Sequence, residues 1–167
     1  MRRARPWIGL PVIELRNGSR LGQVVDLLFQ QDNRLDALLV ERDGLFAGQG
    51  VVPISDVKSI GEDAVTVESP ECIRELAPQE GQRRLLCGKQ ALVGKELYTE
   101  NGTVLGTVAD VYIASQTDNI VGYEVSDGLL ADLTAGRKWM PFSDTLQIGD
   151  QIIVKANARL SDLQSDT

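Results

Sequence analysis

The sequence has no histidine and two cysteines among its 167 residues. A catalytic nucleophile needs a base beside it, and without imidazole the usual triad cannot be assembled. A structural zinc site, which draws four ligands from Cys and His, is excluded as well. Cys72 and Cys87 stand 15 apart and form no Cys-x-x-Cys; reducing surroundings would keep them as free thiols. Aromatics make up 5% of the chain, which leaves most of the packing to Leu, Val and Ile. Long apolar runs are missing too. "ALLV" at Ala37–Val40 falls far short of the ~20 residues a membrane helix requires. The opening "MRRARPWIGLPVIELRNG" has no uninterrupted apolar core, because Pro11, Glu14 and Arg16 break it, which argues against a signal peptide. No glycine loop of the phosphate-cradling kind is present, and Asp32 and Asp36 do not fit the alternate-ligand pattern of a calcium loop. The expectation is a cytoplasmic protein that is not an enzyme and uses neither cofactor nor metal.

What is present supports a folded core. Hydrophobic residues make up 43% and charged residues 25%, the balance of an ordinary globular chain. The net charge of -7 is unevenly spread: residues 1–20 carry five Arg against one Glu, and residues 21–80 carry twelve acids against four bases. Residues 81–95 then hold four bases and no acid. Only the N-terminus and this central stretch offer the clustered cations that counterion release demands of a nucleic-acid binder, and a solvated linker explains the central cluster as well.

The strongest signal is a phrase written twice. "NGSRLGQVVDLLF" (Asn17–Phe29) returns as "NGTVLGTVADVYI" (Asn101–Ile113), displaced by 84 positions. "IGLPV" at Ile8–Val12 corresponds to "VGKEL" at Val93–Leu97, and "PISDVKSIGEDAVTV" from Pro53 returns as "PFSDTLQIGDQIIV" from Pro141. Order and spacing hold across both copies, so the chain is an internal duplication.

Each copy reads as short strands divided by turns. Asn-Gly is a strong hairpin signal because both residues tolerate positive φ. It pairs Val12–Leu15 with Gly22–Phe29, and Leu97–Tyr98 with Gly106–Ile113, around loops long enough to require a bulge. Gly22 and Gly106 at the strand starts mark a bulge or a close backbone approach. Further strands are predicted at Leu35–Glu41, Gly50–Pro53 and Ala64–Val67, matched by Ile120–Val125, Lys138–Pro141 and Ile152–Val154. Such spacing predicts an all-β chain of two tandem small barrels. The expected limits are 1–70 for the first barrel, 71–90 for a linker, 91–156 for the second barrel and 157–167 for a polar, fraying tail.

This arrangement resembles the PRC-barrel family, the small β-barrel of the photosynthetic reaction centre's H subunit and of a ribosome-maturation factor's C-terminal part. The likeness rests on the "N-G-x-x-L-G-x-V-x-D" opening and the "P-(I/F)-S-D…I-G-(E/D)" close of each copy. "VSDGLLADLTAGRKWMP", Val125–Pro141, is also similar to an insert in tandem proteins of this family from spore-forming bacteria. The resemblance implies a non-catalytic interaction module with a protein partner. The alternative is an RNA-processing or ribosome-assembly accessory role; peripheral association with a membrane complex is a third implication.

Candidate residues follow from the repeat. Asp26 and Asp110 fall in apolar strands, where a carboxylate needs a partner; a turn N–H or an arginine is expected rather than a metal or acid–base site. Ser55-Asp56 and Ser143-Asp144 are expected to cap short turns. Pro53 and Pro141 complete the repeated structural set with Gly22 and Gly106. By strand alternation, Asp36, Leu38 and Val40 face the core, as do Val121, Tyr123 and Val125. On the opposite face, Leu35, Ala37 and Leu39 answer Ile120, Gly122 and Glu124, with Glu124 in solvent. Leu35 and Leu39 therefore form a candidate surface, packing against the sister barrel or receiving a partner. The insert supplies a second: Leu129, Leu130, Leu133, Arg137, Lys138 and Trp139.

Overall fold

A computed structural model describes residues 1–45, 47–126 and 137–163. It has no α-helix among the described residues; strands are joined by turns and four 3₁₀ turns. The chain divides into two units, one of residues 4–85 and one of residues 86–167 together with 1–3.

In the first unit the strands are β2 (Pro11–Glu14), β3 (Arg20–Phe29), β4 (Leu35–Arg42), β5 (Gln49–Pro53), β6 (Val57–Ile60), β7 (Val65–Val67), β8 (Arg74–Glu75) and β9 (Arg83–Arg84). They form one sheet in the order β6-β7-β2-β3-β4-β5-β8, with β9 added to β3. In the second, β10 (Glu96–Thr99), β11 (Val104–Ile113), β12 (Ile120–Ser126), β13 (Lys138–Pro141), β14 (Thr145–Ile148), β15 (Ile152–Val154) and β16 (Ser161–Asp162) repeat that order. There the added strand is β1 (Arg2–Arg3), paired with β11. β2 runs parallel to β7, and β10 parallel to β15. Burial repeats as well: β3 and β11 share one pattern along all ten residues. The duplication is structural.

The predicted strands are present, with ends that coincide or shift by at most two residues. The expected bulges interrupt the register between Val12 and Ile13 and between Leu97 and Tyr98. Both Asn-Gly turns place glycine at positive φ, 71° at Gly18 and 82° at Gly102. Each copy fastens its turn with different chemistry. Buried Glu14 accepts the Asn17 amide at 3.1 and 3.2 Å, whereas Thr99 Oγ1 accepts the Thr103 amide at 3.2 Å.

Four expectations need correction. First, the second face of β4 is not open: Leu38 and Val40 are buried as expected, as are Tyr123 and Val125 in β12, but Leu35, Ala37 and Leu39 on the opposite face are buried too, while Asp36 and Val121 are half-buried. The covering of Leu39 comes from its own unit. Leu28, Ala37 and Leu39 pack with Val25, Val51 and Leu76. Second, Glu124 is buried rather than solvated. Third, segment 71–90 carries structure: β8 pairs with β5 and β9 with β3, which sets Leu76 over the β4 face. In the expected tail, β16 pairs with β13; residues 164–167 lie outside the described residues.

The capping expected of the Ser-Asp pairs is also absent. The 3₁₀ turns at Ile54–Asp56 and Phe142–Asp144 have Pro53 and Pro141 at their N-caps, and no side chain caps them. Asp56 instead meets Arg74 at 2.9 Å, and Asp144 lies 3.9 Å from Lys155.

Candidate functional site

The repeated aspartates hold the added strands. Asp26 is buried, and its Oδ1 accepts the amides of Leu27 at 2.8 Å and Leu85 at 3.1 Å. This fixes the backbone immediately after β9. Asp110, with its side chain 0% exposed, accepts the Val111 amide at 2.8 Å, and its Oδ2 lies 3.5 Å from Arg3 Nε. Both expected partners, a backbone N–H and an arginine, are therefore in use. Among the described residues no group of three or more His, Cys, Asp or Glu gathers as metal ligands would.

Around Asp110 the second unit departs from the first. Cross-strand registers place Tyr112 where Leu28 stands, Gly122 for Ala37, Glu124 for Leu39 and Trp139 for Val51. The apolar cluster of one copy becomes an aromatic and charged face in the other. Glu124, whose side chain is 9% exposed, is gripped by two arginines. Arg3 Nε donates to its Oε2 at 2.9 Å, and Arg137 Nε lies 3.2 Å from its Oε1. A carboxylate this buried needs such compensation, since breaking a buried pair leaves an unmatched charge.

The Trp139 ring lies over Gly122, so close that a Cβ there would stand 2.0 Å from Cη2. Its edge meets Tyr112, with centroids 5.1 Å apart and planes at 71°, a favoured aromatic geometry. Trp139 nevertheless stays half-buried, and Arg137 beside it is 54% exposed along its side chain. Lys138 pairs with Asp162. Thus Arg137, Lys138 and Trp139 sit together at the start of β13, whereas Leu129, Leu130 and Leu133 lie outside the described residues.

Arg3 and Tyr112 belong to this face and were not singled out from sequence, and Glu124 was read there only as a solvated residue. One signal was available: Arg-Arg occurs ahead of each copy, at Arg2-Arg3 and Arg83-Arg84, and each pair becomes an added strand.

Burial, and then the Glu124 charge, push the Tyr112 phenol above its ordinary value; Arg3 and Arg137 offset part of this. Glu124→Gln should therefore lower the Tyr112 pKa while leaving the burial contribution, as read by phenolate absorbance against a Tyr112→Phe blank. The raised value adds stability that is whole below the ordinary tyrosine pKa of about 10. That stability is lost as pH rises through the folded value. No downward movement in Glu124→Gln would separate the two groups electrostatically.

The comparisons agree with this duplicated architecture. The sequence model of the PRC-barrel domain family matches residues 1–71 and again residues 90–160. The uncharacterized protein YrrD of Bacillus subtilis (strain 168) is 26% identical over 144 residues, 83% of this chain and 77% of the relative. The chain belongs to the PRC-barrel domain family and carries that domain twice.

Proposed function

We propose that this chain is a non-catalytic protein-interaction module, with the outer face of the second barrel as its contact surface. The observation that carries the reading is the pairing of half-buried Trp139 with exposed Arg137. Tryptophan and arginine are enriched where protein interfaces concentrate their binding energy. On the corresponding face of the first barrel, Leu76 packs against an apolar cluster of Leu28, Ala37 and Leu39, so the two copies have diverged in what they present.

The RNA-processing reading draws less support. It relies on the cations of residues 81–95, and two of the four are committed locally. Arg83 Nη1 donates to Asn33 Oδ1 at 3.1 Å and to Gln31 O at 3.5 Å. Lys95 Nζ donates to the carbonyls of Gly149 and Asp150 at 2.6 and 3.2 Å. Lys95 is buried as well, out of reach of a phosphate backbone.

Affinity capture with the whole chain, with and without nuclease, tests the reading. Protein partners should survive nuclease and be lost with the Arg137→Ala/Trp139→Ala variant, shown to be folded by circular dichroism. Loss of every partner on nuclease treatment would overturn it in favour of RNA.

A further inference from the structure

We propose that the edge of β11, with Asp110 and Glu124 at its base, is a slot for an extended, arginine-bearing peptide segment, occupied here by the chain's own Arg2–Arg3. The inference rests on the interaction-module reading and names the partner chemistry of the same face.

The seated segment defines what the slot accepts. Arg2 and Arg3 pair antiparallel with Ile113 and Tyr112, the strand addition by which many domains bind peptides. The backbone ladder is indifferent to sequence; specificity comes from the floor. Two carboxylates almost out of water meet one guanidinium there, at 2.9 and 3.5 Å. Both contacts converge on Nε, a donor fixed in the guanidinium plane, whereas a lysine ammonium is a compact point charge one bond farther along the side chain. Arginine fits best.

The first barrel is the internal comparison. It keeps the aspartate and takes an added strand at the same edge, but Leu39 replaces Glu124, and Asp26 accepts a backbone amide from Leu85. That version can hold a strand and has no second carboxylate with which to select arginine. Charge selection was built into one copy alone.

The slot is also arranged for exchange. The resident ladder spans two residues, and the Arg3 side chain is 29% exposed. If Arg3 leaves, Glu124 keeps Arg137 and Asp110 keeps the Val111 amide. Neither acid is stranded while the occupants change. A resident occupant lowers the apparent affinity of a competitor by the fraction of time the slot stands open.

A fluorescent peptide of residues 1–6, titrated into the whole chain and read by anisotropy, tests the assignment. The Arg3→Ala chain should bind it at least about tenfold more tightly than the unaltered chain, because the resident is weakened. A peptide with Lys in the third position should bind weakly, and Arg3→Ala/Glu124→Leu should not bind. Glu124→Leu installs the residue the first barrel uses, and circular dichroism would confirm its fold. Binding that survives Glu124→Leu, or no gain in Arg3→Ala, overturns the slot. A doubled mass in sedimentation of the Arg3→Ala chain mixed with unaltered chain would also overturn it, by making a second copy's arm the occupant. Partner capture by the unaltered chain together with no peptide binding to the Arg3→Ala chain would sink the slot and leave the interaction module standing.

Discussion

Leu39→Glu should destabilise the protein by about 4 kcal/mol, from about 1.5–3 kcal/mol of lost burial plus the cost of an unmatched buried charge. Leu39 is 1% exposed, and the residues closing over it are Leu28, Ala37, Val25, Val51 and Leu76. None can compensate a carboxylate. The nearby β8 cation, Arg74, is already held by Asp56 at 2.9 Å. The loss would consume much of the margin of a small domain, which totals about 5–15 kcal/mol. One tryptophan lies in each unit, Trp7 in the first and Trp139 in the second. Urea unfolding of a Trp139→Phe chain, followed by Trp7 fluorescence, therefore reports the affected unit. An unchanged Trp7 midpoint would mean that the Leu39 face is open, as an exposed docking surface requires.

The same position shows where the sequence was legible and where it was not. Glu124 occupies the place of Leu39 and reads as a solvated residue, because a lone acid among apolar neighbours carries no local sign of its partner. One of its two partners, Arg3, is 121 positions away. Alternation is likewise blind to a strand covered on both sides, which is the case for β4 once Leu76 folds over it. The turns and long strands were readable because their causes are local: Asn-Gly fixes the hairpins, and β3 and β11 contain enough residues to show a pattern. β8 and β9 contain two residues each. Two residues establish no periodicity, and their pairing rests on backbone hydrogen bonds that any side chain permits. β6 and β14 escaped for a related reason, as neither has an alternating apolar face: their patterns are "VKSI" and "TLQI" with exposed centres.

The candidate face divides along the same line. Arg137 and Trp139 were visible as the end of an insert present in one copy. Their meaning depended on Arg3, Asp110 and Glu124, which only the folded sheet brings together. Repeated Arg-Arg pairs ahead of both copies were the one sequence trace of that assembly, and charge counting alone assigned them to a basic tail and a basic linker.

Gly22→Ala should be the most damaging single-methyl change in the first unit, costing at least about 3 kcal/mol and abolishing the Trp7 folding transition under mild denaturant. Gly22 lies in β3 between two partners, Val12 on one side and Arg42 on the other. A Cβ there would stand 2.1 Å from the Glu41 carbonyl oxygen and 3.0 Å from Arg42 Cα. Both are backbone atoms, so no side-chain rotation relieves the clash; β3 would have to separate from β4 and break the ladder that joins them. The second copy needs the same glycine. A Cβ at Gly106 would meet the Ser126 carbonyl oxygen at 2.5 Å, and its φ of 151° adds backbone strain for any other residue. Gly106→Ala should therefore unfold the Trp139 transition in the same way. Gly61 and Gly149 supply the controls, since a Cβ at either meets nothing nearer than 3.4 and 3.9 Å. Alanine there shifts stability by less than about 1 kcal/mol, because stiffening the unfolded chain offsets any small cost. Equal midpoints for Gly22→Ala and Gly61→Ala would show that the strands do not approach as closely as the repeated glycine requires.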